Sequence, residues 1–109
     1  MPSEYVQVFT TCGNKQDAEM ISKHLVEQKL AACVQVIGPV SSTYWWEGKV
    51  ENAEEWLCII KSRKRFFRKI RDVIHAVHSY EVPEITAVSF VGISEDYSKW
   101  LENAIAESK

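Results

Sequence analysis

The chain is poor in the residues that break or staple a fold. It has four glycines and three prolines in 109 residues, too few for a collagenous, low-complexity or disordered chain. No apolar run approaches the ~20 residues a helix needs to span a bilayer, so no membrane association is expected. Cysteine is limited to Cys12, Cys33 and Cys58, an odd number with no C-x-x-C pair. That pattern suits neither a disulfide framework nor a zinc ribbon. The N-terminal stretch MPSEYVQVF lacks the basic start of a secretory signal, so the thiols are expected reduced, in the cytoplasm. Neither sign of charge is in excess: the formal net charge is −2, which argues against nucleic acid as the main partner. There is no G-x-S-x-G, no Walker loop and no glycine-rich dinucleotide turn. No repeat and no linker divides the chain, and one domain is expected over residues 1–109.

Aromatic residues are plentiful, with four Trp, four Tyr and four Phe. Tyr5–Cys12 (YVQVFTTC) reads as a strand. Asn14 is placed to cap a helix carrying Ala18, Ile21, Leu25 and Val26, with Asp17 as its capping partner. A long strand from about Ala32 to Glu47 follows, interrupted at Gly38-Pro39. Glu47-Gly48-Lys49 makes a hairpin turn, and the return strand is expected over Glu55–Ser62. A helix from about Arg63 to Val77 carries the stripe Phe66, Phe67, Ile70, Val73, Ile74 and Val77. Ile85–Val91 is the last strand, and Ser94 caps a third helix with Tyr97, Trp100, Leu101, Ala104 and Ile105 on one face. The order β-α-β-β-α-β-α predicts an α+β, ferredoxin-like split β-α-β fold (βαββαβ), with an extra C-terminal helix and a long central hairpin.

That hairpin is too long for its sheet. Usual strands have ~5–6 residues. The overhang is expected to carry Tyr44, Trp45, Trp46 and Trp56. Successive strand residues face opposite sides, so Trp45 and Trp46 cannot share one core. An aromatic strand edge facing outward invites another chain, and the tip is expected to be a subunit interface.

Four segments in order, AACVQVI, STYWWEGKVE, EEWLCIIKS and VHSYEVPEI, carry a resemblance that runs from Val6 to Trp100. The sequence resembles the CutA divalent-cation tolerance family. The resemblance implies a cytoplasmic homotrimer whose long hairpins pair between subunits. It also implies an association with copper and other divalent cations, no settled catalysis and no required cofactor. An intersubunit cleft would be lined by Trp46, Lys61, His78, Tyr80 and Glu84. The family's metal-binding Cys falls where Thr10 stands, and Val77 replaces one member of its His pair. His78 and Cys12 are then the metal candidates, the latter expected to be accessible because it ends a strand at a glycine. Two rival functions differ in class. One is a PII-like trimeric sensor holding a small anionic metabolite near Lys61, and the other is a non-catalytic scaffold for protein partners.

The residues themselves leave other readings open. His75-x-x-His78 would offer two imidazoles on one helical face, against solvated histidines near a helix end. Glu81 and Glu84, held by Val82-Pro83, suit a hard cation or acid–base work, against two solvated acids at a turn. Lys61 is a candidate anion ligand or a residue at the sheet rim. The run Lys61–Arg71 holds seven cations and no acid, a candidate phosphate contact or the solvated face of a helix. The return strand lacks the aromatic signature of the RNA-recognition module, and TTCGNKQ lacks the arginine of an acylphosphatase loop.

Overall fold

A computed structural model describes residues 4–105. The elements are β1 (Tyr5–Cys12), α1 (Lys15–Glu27), β2 (Cys33–Trp46), β3 (Lys49–Arg63), α2 (Phe67–Val77), β4 (Thr86–Ser89) and α3 (Glu95–Ala104), with a 3-10 turn, Lys64–Phe66, leading into α2. The strands form one sheet in the order β2-β3-β1-β4, every neighbouring pair antiparallel. This is the α+β arrangement expected, a four-stranded antiparallel sheet with three helices.

Alternation along β1 sorts the sheet into two faces. Val6, Val8, Thr10 and Cys12 are buried, and Tyr5, Gln7, Phe9 and Thr11 are half-exposed. The buried set continues across the register to Cys58, Ile60 and Ser62 on β3. Against it pack Ala18, Ile21 and Leu25 of α1 and Ile70 and Ile74 of α2, each without accessible surface. These aliphatic side chains recur at the helical period, so each helix presents one stripe to the sheet. The opposite face is apolar yet open: Phe9, Leu57 and Ile59 are half-exposed, and Ile37 and Val88 are exposed. α3 reaches the Tyr5 end of the molecule, where the Tyr5 hydroxyl bonds to Glu102 and the Lys61 ammonium lies 5.9 Å from the centre of the Tyr97 ring.

Local chemistry sets the boundaries. The Asn14 side chain accepts from the Asp17 N–H at 2.8 Å, and Ser94 does the same for Tyr97 at 3.2 Å. Both satisfy an orphan donor at a helix start. α2 begins four residues later than its apolar stripe suggests. Neither Arg63 nor Phe66 supplies a side-chain cap, no acid lies in the first turn, and Lys64, Arg65, Arg68 and Lys69 oppose the helix dipole there. β4 spans four residues rather than the seven expected, pairing with Val6–Phe9 of β1.

β3 extends six residues further towards the turn than expected, starting at Lys49. From Lys49 to Glu55 its only strand partner is β2, so seven cross-strand pairs, Val40↔Glu55 to Trp46↔Lys49, stand beyond the rest of the sheet. The turn is two residues, Glu47 and Gly48, both at positive φ (49° and 78°). That is the hairpin geometry whose twist matches the strands. The register slips by one between Ile37 and Val40, making a bulge at Gly38-Pro39. One extra residue reverses the alternation, so Val40, Ser42, Tyr44 and Trp46 join the face of Cys33, Gln35 and Ile37. Trp45 is 75% exposed and Trp46 57%. Trp56, expected on the overhang, belongs instead to the base of the hairpin, opposite Cys12, because β1 still pairs with β3 there.

Candidate functional site

The segment after α2 determines what surrounds the base of the hairpin. α2 ends at Val77, and His78 is its cap in extended conformation, ψ 140°. His75, three residues earlier, is exposed. The paired-imidazole reading finds no support because backbone groups hold both nitrogens of the His78 ring. The His78 ring instead turns to the end of β1. Its Nε2–H donates to the Thr11 carbonyl at 2.7 Å, and its Nδ1 accepts from the Tyr80 N–H at 3.0 Å. Both nitrogens are occupied, which fixes a neutral tautomer and leaves no lone pair turned to a ligand.

The Cys12 Sγ is 3.8 Å from His78 Nε2, so the two metal candidates are neighbours. The accessibility expected of Cys12 is absent, however: its exposure is 0%. As the last residue of the buried set on β1, it points into the core regardless of the glycine that follows. Its hydrogen bond with Cys58, and then burial, push the thiol well above its ordinary range. A protonated, enclosed thiol is a poor metal ligand. Among the described residues, no three His, Cys, Asp or Glu side chains converge to hold a metal ion.

Beyond His78 the chain passes under the overhanging hairpin and encloses a cleft of about 700 Å³. Its aromatic walls are Tyr44, Trp45, Trp46 and Tyr80, and its charged groups are Glu55, Glu81 and Glu84. Thr11, Ser42 and the rigid Val82-Pro83 step complete the lining, and no lysine, arginine or histidine contributes. Glu55 is 8% exposed. Its Oε2 accepts from the Tyr80 hydroxyl at 2.8 Å, and none of the ion pairs among the described residues involves it. Burial and then the Glu55 hydrogen bond raise the Tyr80 phenol above its usual value, so it remains a neutral donor. Glu84 accepts from Thr86 Oγ1 at 2.9 Å.

Of the five cleft residues expected, Trp46, Tyr80 and Glu84 line this space and His78 sits behind Tyr80, the two rings 4.8 Å apart. Within one chain Lys61 lies elsewhere, paired with Gln7 and Cys33 in mid-sheet. Sequence reasoning missed Glu55. Its signal was an acid within the strand EEWLCIIKS, directly before an apolar run. A second groove, about 910 Å³, runs between α2 and β4 and carries Lys64, Arg65, Arg68 and Lys69.

The model of the CutA1 divalent ion tolerance protein family matches residues 6–104. The chain belongs to the CutA family. It is 38% identical over 98 residues to the divalent-cation tolerance protein CutA of Archaeoglobus fulgidus, covering 90% of this chain and 95% of that one. It is 37% identical over 103 residues to the chloroplastic CutA 1 of Oryza sativa, covering 94% of this chain but 58% of that protein, so it spans little more than half of that relative. The crystal structure of CutA1 from Oryza sativa superposes with a TM-score of 0.92 at 36% identity, covering 98% of each chain. Divalent-cation tolerance is thus the family's role. No helix among the described residues is long and apolar enough to cross a membrane.

Proposed function

We propose that the protein serves divalent-cation tolerance as a cytoplasmic homotrimer that binds cations, copper among them, without catalysing a reaction or holding a resident cofactor. The observation that carries this reading is the lining of the cleft: three carboxylates, one of them nearly enclosed, and no cation. A buried carboxylate without a counter-charge is costly, and a bound cation relieves that cost. Oxygen donors of this kind suit hard divalent ions. Copper favours imidazole and recruits His78 only by releasing its Nδ1 from the Tyr80 N–H.

Assembly is supported by three unsatisfied surfaces: the hairpin beyond the sheet, the open face of Phe9, Leu57 and Ile59, and the unpaired edge of β4. Three free cysteines support a reducing compartment. The anionic-metabolite reading has support only at the basic groove beside β4, away from the cleft.

Calorimetric titration with Cu(II), Cu(I), Zn(II), Mg(II) and a nucleotide tests the proposal. Glu55→Gln should weaken every divalent ion, and His78→Ala should weaken copper selectively. Cys12→Ser should leave Cu(I) and Cu(II) affinity unchanged, because the thiol is enclosed. Nucleotide binding without any divalent-ion heat would sink it. Sedimentation equilibrium should give three times the 12.5 kDa chain mass.

A further inference from the structure

Charge is spread unevenly over the molecule. Seven of its thirteen lysines and arginines fall between Lys61 and Arg71, with no acid among them. Four of these, Lys64, Arg65, Arg68 and Lys69, are exposed and line the groove of about 910 Å³ between α2 and β4. Residues one turn apart share a helical face, so the four charges gather on one side of the helix start, within ~9 Å along its axis. The one acid in the lining, Asp72, is already engaged by Arg71, whose Nε and Nη2 donate to it at 3.1 and 3.0 Å. The ion pairs among the described residues include none of Lys64, Arg68 and Lys69. The start of α2 adds positive potential of its own, since no side chain caps it and no acid lies in its first turn. Cations therefore stand where they weaken their own helix, a local cost that a bound anion relieves.

The floor of the groove is apolar, lined by Val6, Phe67, Ile85 and Ala87. Ala87 and Ser89 face the helices, being opposite Val8 and Val6 in the β1–β4 register. Assembly through the free edge of β4 uses N–H and C=O groups in the plane of the sheet, whereas the cations stand on the helix layer above it. A strand added there extends the floor and leaves the cationic rim open.

We propose that this groove binds an organic polyphosphate, a nucleoside triphosphate by class, with the phosphate chain along Lys64, Arg68 and Lys69 and the organic body on the apolar floor beside Phe67. Guanidinium and ammonium groups suit phosphate oxygens, arginine through its two-pronged donor fork. Cations gathered at one helix start fit a compact polyanion better than the extended backbone of a duplex.

The test is calorimetry on the 109-residue chain in its solution assembly, with EDTA present so that no divalent ion bridges the nucleotide to the acidic cleft. The probes are ATP, tripolyphosphate and AMP. ATP should bind more tightly than tripolyphosphate and at least tenfold more tightly than AMP, with affinity falling as salt is raised. Arg68→Ala combined with Lys69→Ala should weaken ATP at least tenfold without lowering Tm, because both side chains are exposed and oppose the dipole of α2. Lys23→Ala, which removes an exposed cation from α1, should leave the affinity unchanged. Equal affinity for ATP and AMP would remove the phosphate chain from the cations, and equal affinity for ATP and tripolyphosphate would remove the organic body from the floor. No ATP binding, or ATP affinity unaffected by the double substitution, overturns the site, and neither result bears on divalent-ion binding in the cleft.

Discussion

Gly38→Ala probes the point from which the hairpin leaves the sheet. A Cβ at this position would lie 2.2 Å from Trp56 Cδ1 and 2.6 Å from its Cγ, inside the indole ring. The Gly38 φ is not in the left-handed region, so alanine's own backbone preferences are not at issue. The cost is steric alone: the ring of Trp56, packed against the core, must leave its place or the bulge must shift. Overpacking of this kind costs about 1–3 kcal/mol. At ~4 °C per kcal/mol for a chain of this length, Tm should fall by roughly 4–12 °C, read at fixed protein concentration because assembly makes Tm concentration-dependent. The control is a double-mutant cycle with Trp56→Leu. Removing the ring should recover most of the loss, giving a coupling of ~1 kcal/mol or more, as expected for residues in contact. Strict additivity of the two substitutions would refute the steric argument.

Trp46→Glu should weaken association at least tenfold in sedimentation while leaving the circular dichroism unchanged, since Trp46 is exposed and opposite Lys49; an intact trimer would remove the tip from the interface. Thr10 is buried with its hydroxyl unpartnered, so Thr10→Val should raise stability by about 1 kcal/mol or more in denaturant titration; a loss would mean that the hydroxyl has a partner after all. Because the Tyr80 phenol is held above its ordinary value, its contribution to stability is complete below pH ~10 and is lost as pH rises through the higher folded value. Tyr80→Phe should therefore flatten the alkaline limb of the stability profile relative to the parent, and parallel profiles would contradict this. Duplex DNA and single-stranded RNA should bind no more tightly than the non-specific range of about 10⁻⁴–10⁻⁶ M in mobility shifts at ~150 mM salt; a nanomolar complex would make nucleic acid the partner of the basic face of α2.

Much of the fold is legible because short-range chemistry and long-range packing agree there. The alternation of β1, the Asn14 and Ser94 caps and the two-residue turn at Glu47-Gly48 each have a local cause that the tertiary structure leaves alone. The misread boundaries are places where a partner decides. Lys49–Glu54 is polar and pairs on one side only, so no buried face imprints alternation on it. β4 pairs with half of β1 and ends where that pairing ends. The site was less legible. Histidine spacing suggested a helical pair, but His78 spends both nitrogens on the Thr11 carbonyl and the loop. The accessibility argued for Cys12 from a neighbouring glycine ignored the parity of β1, which buries every even-numbered residue from Val6 to Cys12.

The bulge links the two halves of the problem. Without the extra residue at Gly38-Pro39, Tyr44 and Trp46 would follow the parity of Val34 and Val36, whose face packs against the helices. Those aromatics would then point away from the side carrying Thr11 and Glu55, and the cleft would lose two of its walls. A single insertion in β2, compact enough to accept the Trp56 ring only because residue 38 lacks a side chain, therefore sets which face the hairpin shows to the Tyr80–Glu84 loop. The acid that loop encloses is on β3, where no register shift intervenes, so Glu55 keeps its orientation while the aromatic strand opposite is turned towards it. The enclosed acid and the Tyr44 and Trp46 walls thus come from different strands, brought to one side by one residue that neither the charge pattern nor the aromatic pattern of the sequence reveals.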